Sequence, residues 1–155
     1  MITYLPCELH THTQHSDGRF SVAGLCRLAK EYEFAAIALT DHNTLSGRHE
    51  LSPELEAETV AVAVGAEWTT FFGHLLIIGA DPDAGWCGDW RSVAPDAIDA
   101  GLAAIHAAGG VAGIAHPFAF DTPFCPGCRW GFQVSRWVLV GYIGVWNGHA
   151  PIDVP

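Results

Sequence analysis

The chain has 155 residues, half of them hydrophobic and 15% charged, which is enough length for a buried core and too apolar for a disordered chain. Its formal net charge is −10, and its seven Lys and Arg residues form no cluster, which argues against stable binding to a nucleic-acid backbone. The apolar runs are too short to span a membrane, and no basic N-terminal segment with a following apolar stretch and cleavage site is visible, so a cytoplasmic protein is expected.

In chain order, the first apolar run, Ile2 to Leu9, reads as a strand that delivers His10-Thr11-His12 at its end. On an extended chain residues i and i+2 share a face, so both imidazoles can reach one cation. Ser16-Asp17-Gly18 follows, and Ser21 is placed to cap a helix over Val22 to Glu33. A second strand, Ala35 to Thr40, ends in Asp41-His42, and a helical stretch from Leu45 to Glu58 comes next. The third strand, Thr59 to Ala66, ends at Glu67. A turn through Trp68 to Gly73 would then bring His74, which opens a strand to Gly79, back beside Glu67. After a surface loop from Asp81 to Pro95, a helix over Ala94 to Ala108 is closed by Gly109-Gly110. A strand from Val111 to Ala115 ends at His116, a loop runs from Phe118 to Trp130, and a last strand covers Val138 to Trp146.

This alternation implies an α/β fold with a largely parallel sheet or barrel, built as one domain over residues 1–155. In a barrel of parallel strands, residues at the strand ends converge on one rim. His10, His12, Asp41, His42, Glu67 and His116 all follow or end a strand, a pattern that reads as a multinuclear metal site. His15, His49 and His106 lack such partners and are expected to be surface or helix-face residues. Trp68, Phe71, Phe72, Trp86, Trp90, Phe118 and Trp130 either line an apolar pocket above the rim or anchor the loops by packing. The cysteines Cys7, Cys26, Cys87, Cys125 and Cys128 are expected as free thiols. Cys125-Pro126-Gly127-Cys128 has zinc-knuckle or redox spacing, but with no second pair it reads as two loop thiols. No Gly-x-Ser-x-Gly elbow and no Gly-rich phosphate loop are present.

His10-Thr11-His12-Thr13, Ser16-Asp17-Gly18, Thr40-Asp41-His42-Asn43, Gly65-Ala66-Glu67, His74-Leu75 and Ala115-His116-Pro117 stand in one order along the chain. That set resembles the polymerase and histidinol phosphatase (PHP) family, from near the first residue to about Asn147. His106 to Phe118 and Val145-Trp146-Asn147-Gly148 are most similar to its carbaryl-hydrolase branch. The resemblance implies a distorted (βα)7-type barrel carrying two or three divalent metal ions, Zn, Mn or Fe. His10 and His12 would hold the first ion, Glu67 would bridge it to a second completed by His74 and His116, and Asp17 and His42 would begin a third. Asp41 would orient ligands and, with Glu67, belong to the catalytic machinery. Imidazoles around a bridging carboxylate suit Zn, Mn and Fe better than Mg or Ca. Two ions sharing a bridging hydroxide would need no protein nucleophile. The implied activity is metal-dependent hydrolysis of a small-molecule phosphoester, with a carbamate or carboxylic ester as the close competitor.

The chain departs from that family pattern near its C-terminus. No Asp-x-His pair follows His116, and Gly144 stands where a Glu usually precedes Val-Trp-Asn. His149 and Asp153 are weak substitutes. With about six strands, the barrel is expected to be C-terminally incomplete, and its open strand edges to favour self-association. The alternative function is therefore an inactive metal-binding fragment that needs a missing segment or a partner. A polymerase-type PHP domain acting on DNA is disfavoured by the charge.

Overall fold

The computed structural model describes residues 4–81, 84–85, 89–119 and 128–145. Six strands form one sheet in sequential order: β1 (Cys7–Thr11), β2 (Ala36–Leu39), β3 (Ala61–Thr70), β4 (Gly73–Ile78), β5 (Val111–Ile114) and β6 (Tyr142–Ile143). Helices α1 (Val22–Glu31), α2 (Pro53–Glu58) and α3 (Ile98–Ala107) connect them, with 3-10 turns at Ser46–Glu50 and Trp137–Leu139. The sheet curls into a half-barrel of α/β type. Among the described residues, β1 and β6 each have one free edge. No helix among them is long and apolar enough to cross a membrane.

The sheet is largely parallel, as expected, with one strand reversed. β1, β2 and β3 run parallel, as do β5 and β6, but β4 is antiparallel to both of its neighbours. The cause is a tight hairpin where a longer turn was expected. β3 continues through Trp68 to Thr70, and only Phe71 and Phe72 separate it from β4. The Thr70 hydroxyl donates to the Gly73 carbonyl at 2.8 Å and accepts from the Phe72 N–H at 3.0 Å, while Gly73 takes φ 145°, a conformation open to glycine. None of the Asn-Gly or Asp-Gly signals of short hairpins marks this turn.

The expected helix over Leu45 to Glu58 is two pieces. Ser52 accepts from the Leu55 N–H at 3.2 Å and Pro53 occupies the first turn of α2, so the chain stops and restarts there. Ser21 caps α1 as expected, accepting from the Gly24 N–H at 3.2 Å, but the helix ends at Glu31 and Glu33 turns out at φ 61°. α3 begins only at Ile98, past Pro95. β1 lies further along than expected and contains His10 and Thr11. Between Glu8 and Thr11 its register with β2 slips, a bulge of the kind found beside functional sites.

Helices cover the outer face of the sheet. Ile37 and Leu39 of β2 pack on Val22, Cys26 and Ala29 of α1. Trp68, Leu75, Ile77, Ala112 and Ile114 pack on Ile98, Leu102 and Ile105 of α3. Each fully buried aliphatic side chain in these layers contributes about 1.5–3 kcal/mol relative to exposure. The strand periodicity that turns these residues outward turns Glu67, Thr69 and His74 to the concave side.

Candidate metal centre

Glu67 lies within β3, three residues past Val64, the partner of Leu39 at the end of β2. Its N–H is shared between the carbonyls of Thr40 and Asp41, both at 3.2 Å, and His42 bridges to it in parallel. His74 pairs with Thr69 across the hairpin, which places it diagonally from Glu67 on the same face. The two ends of the sheet contribute the rest: His10 and His12 from β1, His116 after β5.

The result is one buried carboxylate ringed by five imidazoles. Glu67 Oε2 lies 3.1 Å from His10 Nε2, 3.2 Å from His12 Nε2 and 3.2 Å from His42 Nδ1. Glu67 Oε1 lies 2.9 Å from His74 Nδ1 and 3.1 Å from His116 Nε2. Burial alone would raise the Glu67 pKa, but hydrogen bonds from His10, His116, His12 and His74 outweigh it and hold the carboxyl far below its usual range. Burial likewise works against charge on His12 and His116, yet the Glu67 contact wins and both are raised. His42 goes the other way, lowered by burial and by the neighbouring His12 and His74.

Asp17 forms the outer part of the cluster. Its Oδ1 is 3.6 Å from His12 Nδ1 and its Oδ2 is 3.7 Å from His42 Nε2, with the carboxylate open to solvent. Three sets of donor atoms thus lie within 4.8 Å of one another: His10, His12 and Glu67; His12, Asp17 and His42; His42, Glu67 and His74. His116 joins through Glu67.

These donors fit divalent metal ions on three counts. Nitrogen–oxygen gaps of 2.9–3.2 Å match the edges of a coordination shell whose bonds are about 2.0–2.2 Å. Five ring nitrogens crowd a carboxylate that offers about four lone-pair sites. His74 Nε2 is buried and has no hydrogen-bond partner among the described residues. Imidazole with carboxylate is a donor set for Zn, Mn or Fe.

Asp41 sits one layer away, at 2% exposure. It accepts from the Thr13 N–H and hydroxyl and from the Ser16 hydroxyl, and so holds the 13–18 loop that carries Asp17. Gly18 is required in that loop, because a Cβ there would fall 2.1 Å from the His12 carbonyl oxygen. His116 adopts φ 29°, a strained conformation for a residue before proline and of the kind found at functional sites.

Sequence reasoning missed Thr69 and Asn43. Thr69 Oγ1 lies 2.6 Å from His42 Nδ1, and the Asn43 side chain bonds both the N–H and the carbonyl of Thr69 at 2.9 Å. Only Asn43 carried a signal, as a residue tolerant of the φ 50° it adopts beside His42. His15 is not a solvated side chain. Its Nδ1 is 2.8 Å from Ser46 Oγ and its Nε2 is 2.8 Å from Glu50, so the ring ties the Asp17 loop to the Ser46–Glu50 turn. His106 Nε2 lies 2.9 Å from the Leu139 carbonyl oxygen.

Of the two roles expected for the aromatic residues, packing holds for Trp68, Phe72 and Trp130. Trp68, Phe72 and Trp130 pack on Phe132, with ring centroids 6.2, 5.9 and 5.3 Å away. Phe71 pairs with Trp90 and is half exposed, and Phe118 is 89% exposed. Cys7 and Cys26 are free thiols, whereas Cys128 is in a disulfide, which corrects its reading as a free thiol. Trp86, Cys87, Cys125, His149 and Asp153 lie outside the described residues.

Among known proteins, a 62-residue stretch is 38% identical to the DNA polymerase III subunit alpha of Aquifex aeolicus. That stretch is 39% of this chain and only 5% of the relative. Solved structures extend the likeness at the level of fold. A protein assigned as a metal-dependent phosphoesterase from Bifidobacterium adolescentis superposes with a TM-score of 0.66 at 16% identity, over 93% of this chain and 78% of the other. An amidohydrolase from Chromobacterium violaceum, with sulfate bound and no metal, gives 0.57 at 18% identity over 75% and 68%. A two-domain protein from Bacteroides vulgatus, containing a predicted PHP-like metal-dependent phosphoesterase, gives 0.55 at 18% over 81% and 42%. Residues 8–84 match the PHP domain family, and the curled six-stranded sheet that carries Glu67 and its five histidines has the fold of these PHP-like proteins.

Proposed function

We propose that this chain is a metal-dependent hydrolase of the PHP type acting on a small-molecule ester. The carrying observation is the convergence of five imidazole nitrogens, from four separate segments, on the one buried Glu67 carboxylate. His10 and His12 would hold one ion, His74 and His116 a second, with Glu67 between them; Asp17 and His42 would serve a third. Such ions supply an activated water and the positive charge that stabilises a developing oxyanion. The chain's own contributions are placement and charge. The histidines around Glu67 favour its ionised form, Asp41 positions the Asp17 loop, and the acidic surface, with no cluster of Lys and Arg, leaves substrate charge to be met by the ions.

A phosphoester is the first expectation, and a carbamate or carboxylic ester the second, favoured by Phe71 and Phe118 exposed close to Thr69 and His116. The test is turnover by the purified chain loaded with Mn2+, Zn2+ or Fe2+. Hydrolysis of bis(p-nitrophenyl) phosphate without an aryl carbamate supports the phosphoester, the reverse supports the carbamate, and neither reaction overturns the hydrolase reading for this chain.

A second reading is a metal-binding domain without turnover that needs a further segment or partner. Among the described residues β1 and β6 have open edges, which favours it, and Leu9 and Ile143 on them are 40% and 46% exposed. Bound metal without turnover, together with self-association in sedimentation, would favour it.

A further inference from the structure

His42 lies between two carboxylates, and its tautomer decides which of them it serves. Its Nδ1 faces Thr69 Oγ1 at 2.6 Å and Glu67 Oε2 at 3.2 Å, and its Nε2 faces Asp17 Oδ2 at 3.7 Å. The Thr69 hydroxyl has one proton and reaches the Glu67 carbonyl, which can only accept, at 3.2 Å; with the proton there, its lone pairs face Nδ1. Glu67 Oε2 belongs to an ionised carboxylate and can only accept. In that arrangement both neighbours of Nδ1 are acceptors, and the imidazole proton lies between them. Nε2 is left with its lone pair directed at a carboxylate that is itself an acceptor. Two lone-pair donors facing each other with no proton between them repel unless a cation occupies the gap.

Thr69 is well fixed for this task. Its N–H and carbonyl are both bonded by the Asn43 side chain, and across the hairpin it pairs with His74. We propose that Thr69 is a positioning residue: it holds His42 as the Nδ1–H tautomer and so commits Nε2 to a cation position shared with Asp17, not to the Glu67 cluster. This deepens the metal-centre reading and rests on it.

The experiment compares the full chain with Thr69→Ser and Thr69→Val, the latter removing the hydroxyl at nearly constant shape in a strand that accepts Val. Histidine 15N spectra of the metal-free proteins report the His42 tautomer, and Mn2+ titration with elemental mass spectrometry reports each ion, with circular dichroism as the folding control. Wild type and Thr69→Ser should show the proton on Nδ1. Thr69→Val should show mixed tautomers and bind one ion about 10- to 100-fold more weakly, leaving the others in place. A proton on Nε2 in a wild-type chain that binds Mn2+ overturns the role of Thr69 alone. So does a Thr69→Val protein that matches wild type or loses all its ions together. A wild-type chain that takes up no Mn2+ overturns the cation position and the metal-centre reading with it, while the tautomer spectra still decide whether Thr69 holds His42.

Discussion

Thr13 and Asp41 are joined twice: the Thr13 N–H donates to Asp41 Oδ1 at 2.7 Å and its hydroxyl to Oδ2 at 2.8 Å. The Ser16 hydroxyl adds a third bond to Oδ1 at 2.6 Å. A buried carboxylate that accepts three such bonds is a clamp for a loop. Asp41→Asn would turn an N–H2 toward groups that are themselves donors. The expected loss is about 1–3 kcal/mol, seen in urea denaturation. It should come with weaker binding of the ion nearest Asp17. Unchanged stability would mean that the loop is held by something other than Asp41.

Glu67→Gln removes the one charge that all five imidazoles share. Bound metal should fall further than in a His10→Ala protein, which loses one ligand and keeps the rest. Elemental analysis of the two variants, purified in parallel, checks the order. A Glu67→Gln chain that keeps its full complement of ions would show that Glu67 bridges nothing.

Removing metal should reverse the response to pH. His12 and His116 have folded values raised above 6.5, despite burial, through Glu67. A raised value contributes stability that is fully present below the unfolded pKa and lost as pH rises through the folded one. His42 is lowered, chiefly by burial, and acts oppositely, as stability lost on acidification. With two groups against one, the thermal midpoint of the chelator-treated chain should fall between about pH 6 and pH 8. With metal bound, protons compete with the cation for the same nitrogens, so the midpoint should rise over that interval. Parallel slopes in differential scanning calorimetry would contradict this.

Gly73→Ala tests the hairpin that places His74. At φ 145° a side chain is strained, and its Cβ would come 2.6 Å from the Trp130 ring. A loss of about 1–3 kcal/mol is expected from the backbone alone. It should come with reduced metal uptake as His74 shifts. Full stability in this variant would show that the turn relaxes freely.

Much of this molecule is legible in local chemistry. Ser21 before an apolar-periodic run caps α1 as its hydroxyl predicts, and Gly109 closes the region after α3 at φ 79°. The strands recur in the expected order, because alternating apolar runs need no distant partner to declare themselves. Ser52-Pro53 could have been read as a helix restart from its own chemistry. The Phe71-Phe72 turn could not, since its stability comes from the Thr70 hydroxyl and from the packing of Phe72 and Trp130 on Phe132.

The sequence by itself determined which side chains sit at strand ends: His10 and His12 two residues apart, Asp41-His42 beyond β2, His116 beyond β5. These follow from periodicity, which is a local property of the chain. Tertiary structure alone decided that Glu67 stands within β3 and faces five imidazoles, that Asp41 clamps a loop, and that Thr69 faces His42. Those contacts join residues 7 to 57 positions apart, through a register and an antiparallel hairpin settled by packing and backbone pairing. A proton's place on one imidazole depends on every acceptor around it, and only the folded chain brings those acceptors together.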